Sequence, residues 1–153
     1  MNSPSAAGAS GAPYIRTRLS LMMFLQYAVW GVWLPVLGGY LGSSTDKGGL
    51  GFGGSQIGMI LGTAGACGAI LAPFIAGQVA DRFMNAEKAL GLLLCLGGVA
   101  NWLLAGARSY ESFLAISILY SVLYMPTLSL SNSVAMANLS NATTDFPRVR
   151  VWG

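Results

Sequence analysis

Charged residues fall in clusters along this chain. Between Arg18 and Asp46, Lys47 and Asp81, Lys88 and Arg108, and Glu111 and Asp145 there is no Asp, Glu, Lys or Arg. Each gap can hold the roughly 20 mostly apolar residues that cross a hydrocarbon core as a helix. The pattern predicts four spans. Span 1 is LSLMMFLQYAVWGVWLPVLGGYL, Leu19 to Leu41, and span 2 follows the loop GGLGFGGS, running from Ile57 to Val79. Span 3 fits between Lys88 and Arg108, short but sufficient if its flanking side chains snorkel. Span 4 runs from Ser112 to Ala137, and NLSNATTDFP after it reads as a polar linker. Residues 1–13, uncharged and aperiodic, read as a disordered cytoplasmic tail, leaving 14–153 as the membrane-embedded part. Arg16 and Arg18 precede an apolar stretch, as in a signal peptide, but that stretch is long enough to span and should stay in the membrane.

Composition agrees. Of the residues, 54% are hydrophobic and 8% charged, against about 25% charged in soluble domains, so the expected class is an all-α integral membrane protein. The net charge of +3 is too small and scattered for a nucleic-acid surface. It informs topology instead, because cytoplasmic loops retain Lys and Arg. Arg16, Arg18, Arg82, Lys88, Arg148 and Arg150 fall on one side and Lys47 and Arg108 on the other, which predicts a multi-pass protein with its N-terminus in the cytoplasm. The sequons at Asn138 and Asn141 would then stay unglycosylated. Cys67 and Cys95 lie in apolar runs with no His anywhere in the chain, and read as reduced packing residues.

Small residues four apart in span 2, Gly58, Gly62 and Ala66 with Gly65 and Ala69 beside them, predict a helix seam. Polar groups inside spans need a partner or a watery cavity. Span 1 sets Gln26, Trp30 and Trp33 on one stripe, an amide with two indoles suited to stacking on a flat ligand. Span 4 sets out Ser117, Tyr120, Tyr124, Thr127 and Ser131 in a similar way. Trp33-Leu34-Pro35-Val36-Leu37 and Tyr124-Met125-Pro126-Thr127-Leu128 share an aromatic-x-Pro-x-Leu pattern. Pro-interrupted segments at matching places in repeated units point to a transport site.

Gly77-Gln78-Val79-Ala80-Asp81-Arg82 fits the G-x-x-x-D-R pattern of the major facilitator superfamily at the turn between spans 2 and 3, although the run after it, Phe83 to Lys88, departs from that pattern. FLQYAVWGVWLPVLGGYL (24 to 41) resembles the first helix of the bacterial nucleoside:proton symporters. YMPTLSLSN (124 to 132) and TDFPRVRVWG (144 to 153) resemble that family's fourth helix and the entry to its fifth. The resemblance implies part of an N-terminal six-helix bundle, comprising spans 1–4 and the start of span 5. It also implies proton-coupled nucleoside symport by alternating access, with no cofactor. Arg150 corresponds to a substrate-cavity arginine of the family. The candidate substrate-binding residues are therefore Arg150, Gln26, Trp30, Tyr124 and Asn132, and the candidate gating residues are Gly77, Asp81 and Arg82.

The expected partners are a nucleoside, protons, the lipid bilayer and a missing C-terminal half. The family's twelve spans exceed what is present, and no span holds an Asp, Glu, Lys, Arg or His to change charge during coupling. The expectation is a truncated portion that is inactive alone. The alternative is a self-standing four-span protein, either a small exporter, which would need a carboxylate where span 1 has Gln26, or a non-transporting scaffold. An enzyme is disfavoured, because the sequence has no Ser/His/Asp set, metal cluster or phosphate loop.

Overall fold

The computed structural model describes residues 12–78 and 85–153. Its helices are α1 (Ala12–Gly42), α2 (Gly54–Gln78), α3 (Ala86–Gly106), α4 (Tyr110–Asn138) and α5 (Ala142–Arg150), with one 3-10 turn at Thr45–Lys47. The first four are long and apolar enough to cross a membrane. They carry large exposed apolar side chains, including Val32, Ile70, Phe74 and Trp102, as a lipid-facing surface requires. In lipid a helix also satisfies its own backbone polar groups. The protein is therefore a multi-pass membrane protein.

The boundaries extend past the predicted spans because polar residues at the ends remain helical. Helix α1 begins at Ala12 rather than Leu19, with Pro13 in the first turn, where its missing N–H costs nothing. Of the expected tail, residues 1–11 lie outside the described residues. Ser109 caps α4 by accepting the Ser112 N–H at 3.3 Å. The Gln56 side chain accepts the Gly53 N–H at 3.0 Å at the start of α2. Helices α1 and α4 continue through Pro35 and Pro126.

The expected polar linker is corrected, because α5 runs through most of it. Hydropathy did not reveal this helix because its stability comes from its ends and one buried face. Asp145 lies in the first turn and Arg148 and Arg150 in the last, signs that complement the helix dipole. Asp145 and Val149, four apart, are buried. The Arg16 guanidinium of α1 holds the Asp145 carboxylate at 2.7 Å.

Helix α4 is the centre of the bundle. It packs most extensively on α2 and α3 and also touches α1 and α5, while α5 lies against α1. The α2–α4 seam is not the predicted one. Gly58, Gly62 and Ala66 are exposed, and a Cβ at either glycine would meet nothing. The buried row is Ile60, Ala64, Gly68 and Ala72. At Gly68 a Cβ would lie 2.8 Å from the Ser121 carbonyl oxygen and 2.7 Å from Met125 Cγ. Small residues four apart occur on both faces of α2, and only the position of α4 selects between them.

At one end of the bundle, the Asn138 amide of α4 donates to Glu87 of α3 at 3.1 Å, beside the Arg16–Asp145 pair. At the other end the α1–α2 connection folds back. The Phe52 N–H donates to the Leu41 carbonyl at 2.8 Å, and the Phe52 ring meets Tyr110 and Phe113 edge-on. Gly48 takes φ 81° to make this turn.

Candidate functional site: the wall between α1 and α4

Gln26 faces α4 and is 4% exposed. Its amide donates to Thr127 Oγ1 at 2.6 Å, and that hydroxyl donates to the Tyr124 carbonyl at 2.5 Å. The Tyr124 phenol donates back to the Gln26 carbonyl. Four rings extend from this buried lock in an unbroken ladder. Trp30 lies tilted against Tyr124 at 6.2 Å between centroids, Tyr124 stacks on Tyr120 at 5.4 Å, and Tyr120 meets Trp33 edge-on at 5.4 Å. Trp and Tyr at membrane depth combine a large apolar face with a polar edge.

A cavity opens on each side of the ladder. One, of about 370 Å³, lies among α1, α3 and α4 and is lined by Gln26, Gly97, Asn101, Tyr120 and Tyr124 among others. The other, of about 410 Å³, lies among α1, α2 and α4 and is lined by residues that include Trp30, Trp33, Leu34, Ala64, Ser117 and Tyr120.

Arg150, half-buried at the end of α5, sets its guanidinium carbon 4.3 Å from the centroid of the Tyr27 ring on α1. A guanidinium over an aromatic face is attracted by the ring quadrupole. Gly153 lies close to the pair, where a Cβ would come 2.6 Å from Tyr27 Cδ2 and 3.1 Å from Arg150 Nη1. Tyr27 and Leu34 are seven residues apart, two helical turns, and so share one flank of α1. Arg150 therefore lies on the flank that carries the α2-side cavity.

The structure brings Gln26, Trp30 and Tyr124 together, while Arg150 meets α1 at Tyr27 and lines neither cavity. Asn132 is two turns farther along α4, half-buried, with its Oδ1 shielded and without a hydrogen-bond partner. Gly77 sits exposed near the end of α2 with open space around it, so it makes no close helix contact here. Asp81 and Arg82 lie outside the described residues. Two contributors were not singled out from sequence. Tyr27, the platform for Arg150, gave no local signal. Asn101 did, as the one amide within the apolar run of span 3.

Residues 14–153 match the family model described as Nucleoside H+ symporter. The putative nucleoside transporter YegT of Escherichia coli is 37% identical over 136 residues, covering 89% of this chain and 30% of YegT. Nucleoside permease NupG of E. coli is 32% identical over 143 residues, and the xanthosine permease of the same organism 36% over 145. Each match covers 91% of this chain and 33% of the relative. Two crystal structures of nucleoside transporter NupG, one of them of a mutant, superpose with TM-scores of 0.82 and 0.80 at 30% and 28% identity, covering 91% of this chain and 34% of theirs. The chain thus spans about a third of the length of the relatives it matches. With its helices following those of NupG and the match running from Tyr14 to Gly153, this chain belongs to the nucleoside H+ symporter family.

Proposed function

We propose that this chain forms part of the N-terminal wall of a proton-coupled nucleoside carrier of the major facilitator type, working by alternating access. The observation that carries the reading is the placement of Arg150. A permanently charged, planar fork of donors lies over the Tyr27 ring, on the same flank of α1 as an aromatic-lined cavity. Such a fork suits base carbonyls and ribose hydroxyls. Trp30 and Tyr124 supply the stacking faces. Gln26, whose amide is committed to Thr127, contributes by fixing the two helices that carry those rings, and Asn132 offers an unpaired acceptor farther along the path.

In this reading α5 is the entry to a fifth span of a six-helix bundle, 14–153 is its membrane part and 1–13 a cytoplasmic tail. The N-terminus faces the cytoplasm across the inner membrane, and Gly77, Asp81 and Arg82 form a gate. Proton coupling needs an ionisable group at membrane depth, and the four spans hold no Asp, Glu, Lys, Arg or His. Coupling would then fall to residues outside them, in a C-terminal half.

The test uses the chain reconstituted in lipid nanodiscs and in vesicles. We expect weak, saturable binding of radiolabelled uridine that other nucleosides compete away and inorganic phosphate does not, with no uptake into vesicles above the lipid background. Absence of any nucleoside binding would refute the nucleoside reading. Proton-driven uptake by the chain alone would refute the assignment of coupling to other residues.

A further inference from the structure

Three polar atoms along the α1–α4 wall are buried without a hydrogen-bond partner: Trp33 Nε1, Ser117 Oγ and Tyr120 OH. All three side chains line the cavity of about 410 Å³ among α1, α2 and α4. Ser117 and Tyr120 are 6% and 4% exposed. Three residues apart, they lie on one face of α4, and Trp33 reaches them across the gap from α1. The Trp33 indole edge and the Tyr120 hydroxyl lie against each other, and the one polar contact they offer each other leaves both without a well-formed hydrogen bond.

An unsatisfied buried polar group destabilises a fold, and it is costliest where no water can reach it. Both neighbouring regions avoid that cost. Gln26, Thr127 and Tyr124 satisfy one another, and Ser131 donates to its own helix at the Leu128 carbonyl, 3.0 Å away. Ser117 could do the same and does not. Local departures from polar satisfaction concentrate at functional sites.

The chemistry of the open atoms narrows what would complete them. Among the described residues no Asp, Glu, Lys or Arg lines the cavity, so a carboxylate or phosphate entering it would lose its water without gaining a counter-charge there. Two hydroxyls that donate and accept, with one N–H that only donates, match a pair of adjacent hydroxyl groups on an uncharged ligand. The faces of Trp30 and Trp33 would cover the ring bearing them. From Tyr27, where Arg150 rests, the rise along α1 to Trp33 is about 9 Å, which separates the two ends of the wall.

We propose that Trp33, Ser117 and Tyr120 are the specificity-determining contacts for the sugar hydroxyls of the nucleoside, whose base is directed toward Arg150. The three atoms have no open surface in the empty chain, so the ligand's hydroxyl edge reaches them by displacing the Trp33–Tyr120 edge contact. This inference rests on the nucleoside reading above.

The test is equilibrium binding to the nanodisc-reconstituted chain. Uridine is compared with its analogue lacking both secondary ribose hydroxyls, for the wild type, Ser117→Ala and Tyr120→Phe, with thermal unfolding of each variant alongside. Each variant should weaken uridine about five- to tenfold, the loss of one neutral hydrogen bond, and leave the analogue unchanged, so that the preference for uridine collapses. Ser117→Ala should unfold at the same temperature as the wild type or higher, because it removes an unsatisfied group. If both variants bind uridine like the wild type, or lose both ligands alike with a lowered unfolding temperature, the hydroxyls are structural and the inference is overturned. If the wild type binds no nucleoside, the underlying reading fails instead. Should Tyr120→Phe not fold, Ser117→Ala alone decides.

Discussion

Gln26 of α1 and Thr127 of α4 are joined by a 2.6 Å hydrogen bond between two buried side chains. An interhelical bond at membrane depth contributes about 0.6–2 kcal/mol. Thr127→Val should lower stability by roughly 1–2 kcal/mol, because it leaves the Gln26 amide with no acceptor. Gln26→Leu removes the amide itself and should cost less. The double variant should be more stable than the sum of the single losses predicts, a coupling that a double-mutant cycle of thermal unfolding in detergent measures.

Gly68 and Gly62 of α2 should respond in opposite ways to the same change. Gly68→Ala would push a Cβ to 2.8 Å from the Ser121 carbonyl oxygen, forcing α2 off α4 at a cost of about 1–3 kcal/mol. Gly62→Ala meets nothing and should be neutral or stabilising by up to about 1 kcal/mol through helix propensity. Unfolding temperatures of the two variants check the pair. Equal losses would mean that α2 presents a different face to α4.

Arg16 and Asp145 tether the short helix α5 to α1. The Asp145 side chain is 7% exposed and the Arg16 side chain 41%. Arg16→Ala strands a buried carboxylate, but solvent reaches the arginine side of the pair, so the expected loss is about 1–2 kcal/mol rather than that of a fully buried pair. Hydrogen exchange in residues 142–150 should quicken in this variant, and less so in Asp145→Asn, which keeps an acceptor without the charge. Exchange unchanged in both would show that α5 is held by Val149 packing alone.

The proposed orientation puts the α1–α2 connection outside and the start of α3 inside. A cysteine placed at Lys47 should therefore react with a membrane-impermeant maleimide in intact cells, while one at Glu87 should react only after permeabilisation. Cys67 and Cys95 lie within α2 and α3 and provide the background. Reversed labelling would invert the topology.

The four long helices were legible because the requirement behind them is simple: a bilayer needs about 20 apolar residues in a row, and the charges of this chain mark where each run stops. Helix α5 was legible only through the family resemblance at 144–153; hydropathy missed it because its sequence is polar and its buried carboxylate, Asp145, finds its partner in Arg16, 129 residues away. The seam on α2 was half legible. Sequence shows that small residues recur every four positions, but Gly58–Gly62–Ala66 and Ala64–Gly68–Ala72 satisfy that rule equally well. The polar stripes gave the residues of the α1–α4 wall without dividing them. Periodicity sets Gln26, Trp30 and Trp33 on one face, while packing closes the first into a bond with Thr127 and leaves the Trp33 N–H open. The family resemblance supplied Arg150, and the structure added the Tyr27 ring beneath it.

The most direct test of the central claim is the affinity of the nanodisc-reconstituted chain for uridine before and after Arg150→Ala. If Arg150 holds the base from its seat on Tyr27, affinity should fall at least about tenfold, as expected for a charged donor pair. Arg150→Lys should restore only part of it, because an ammonium lacks the planar fork. Equal affinities for the wild type and Arg150→Ala would contradict the account and return Arg150 to the role of a positive charge at the membrane edge.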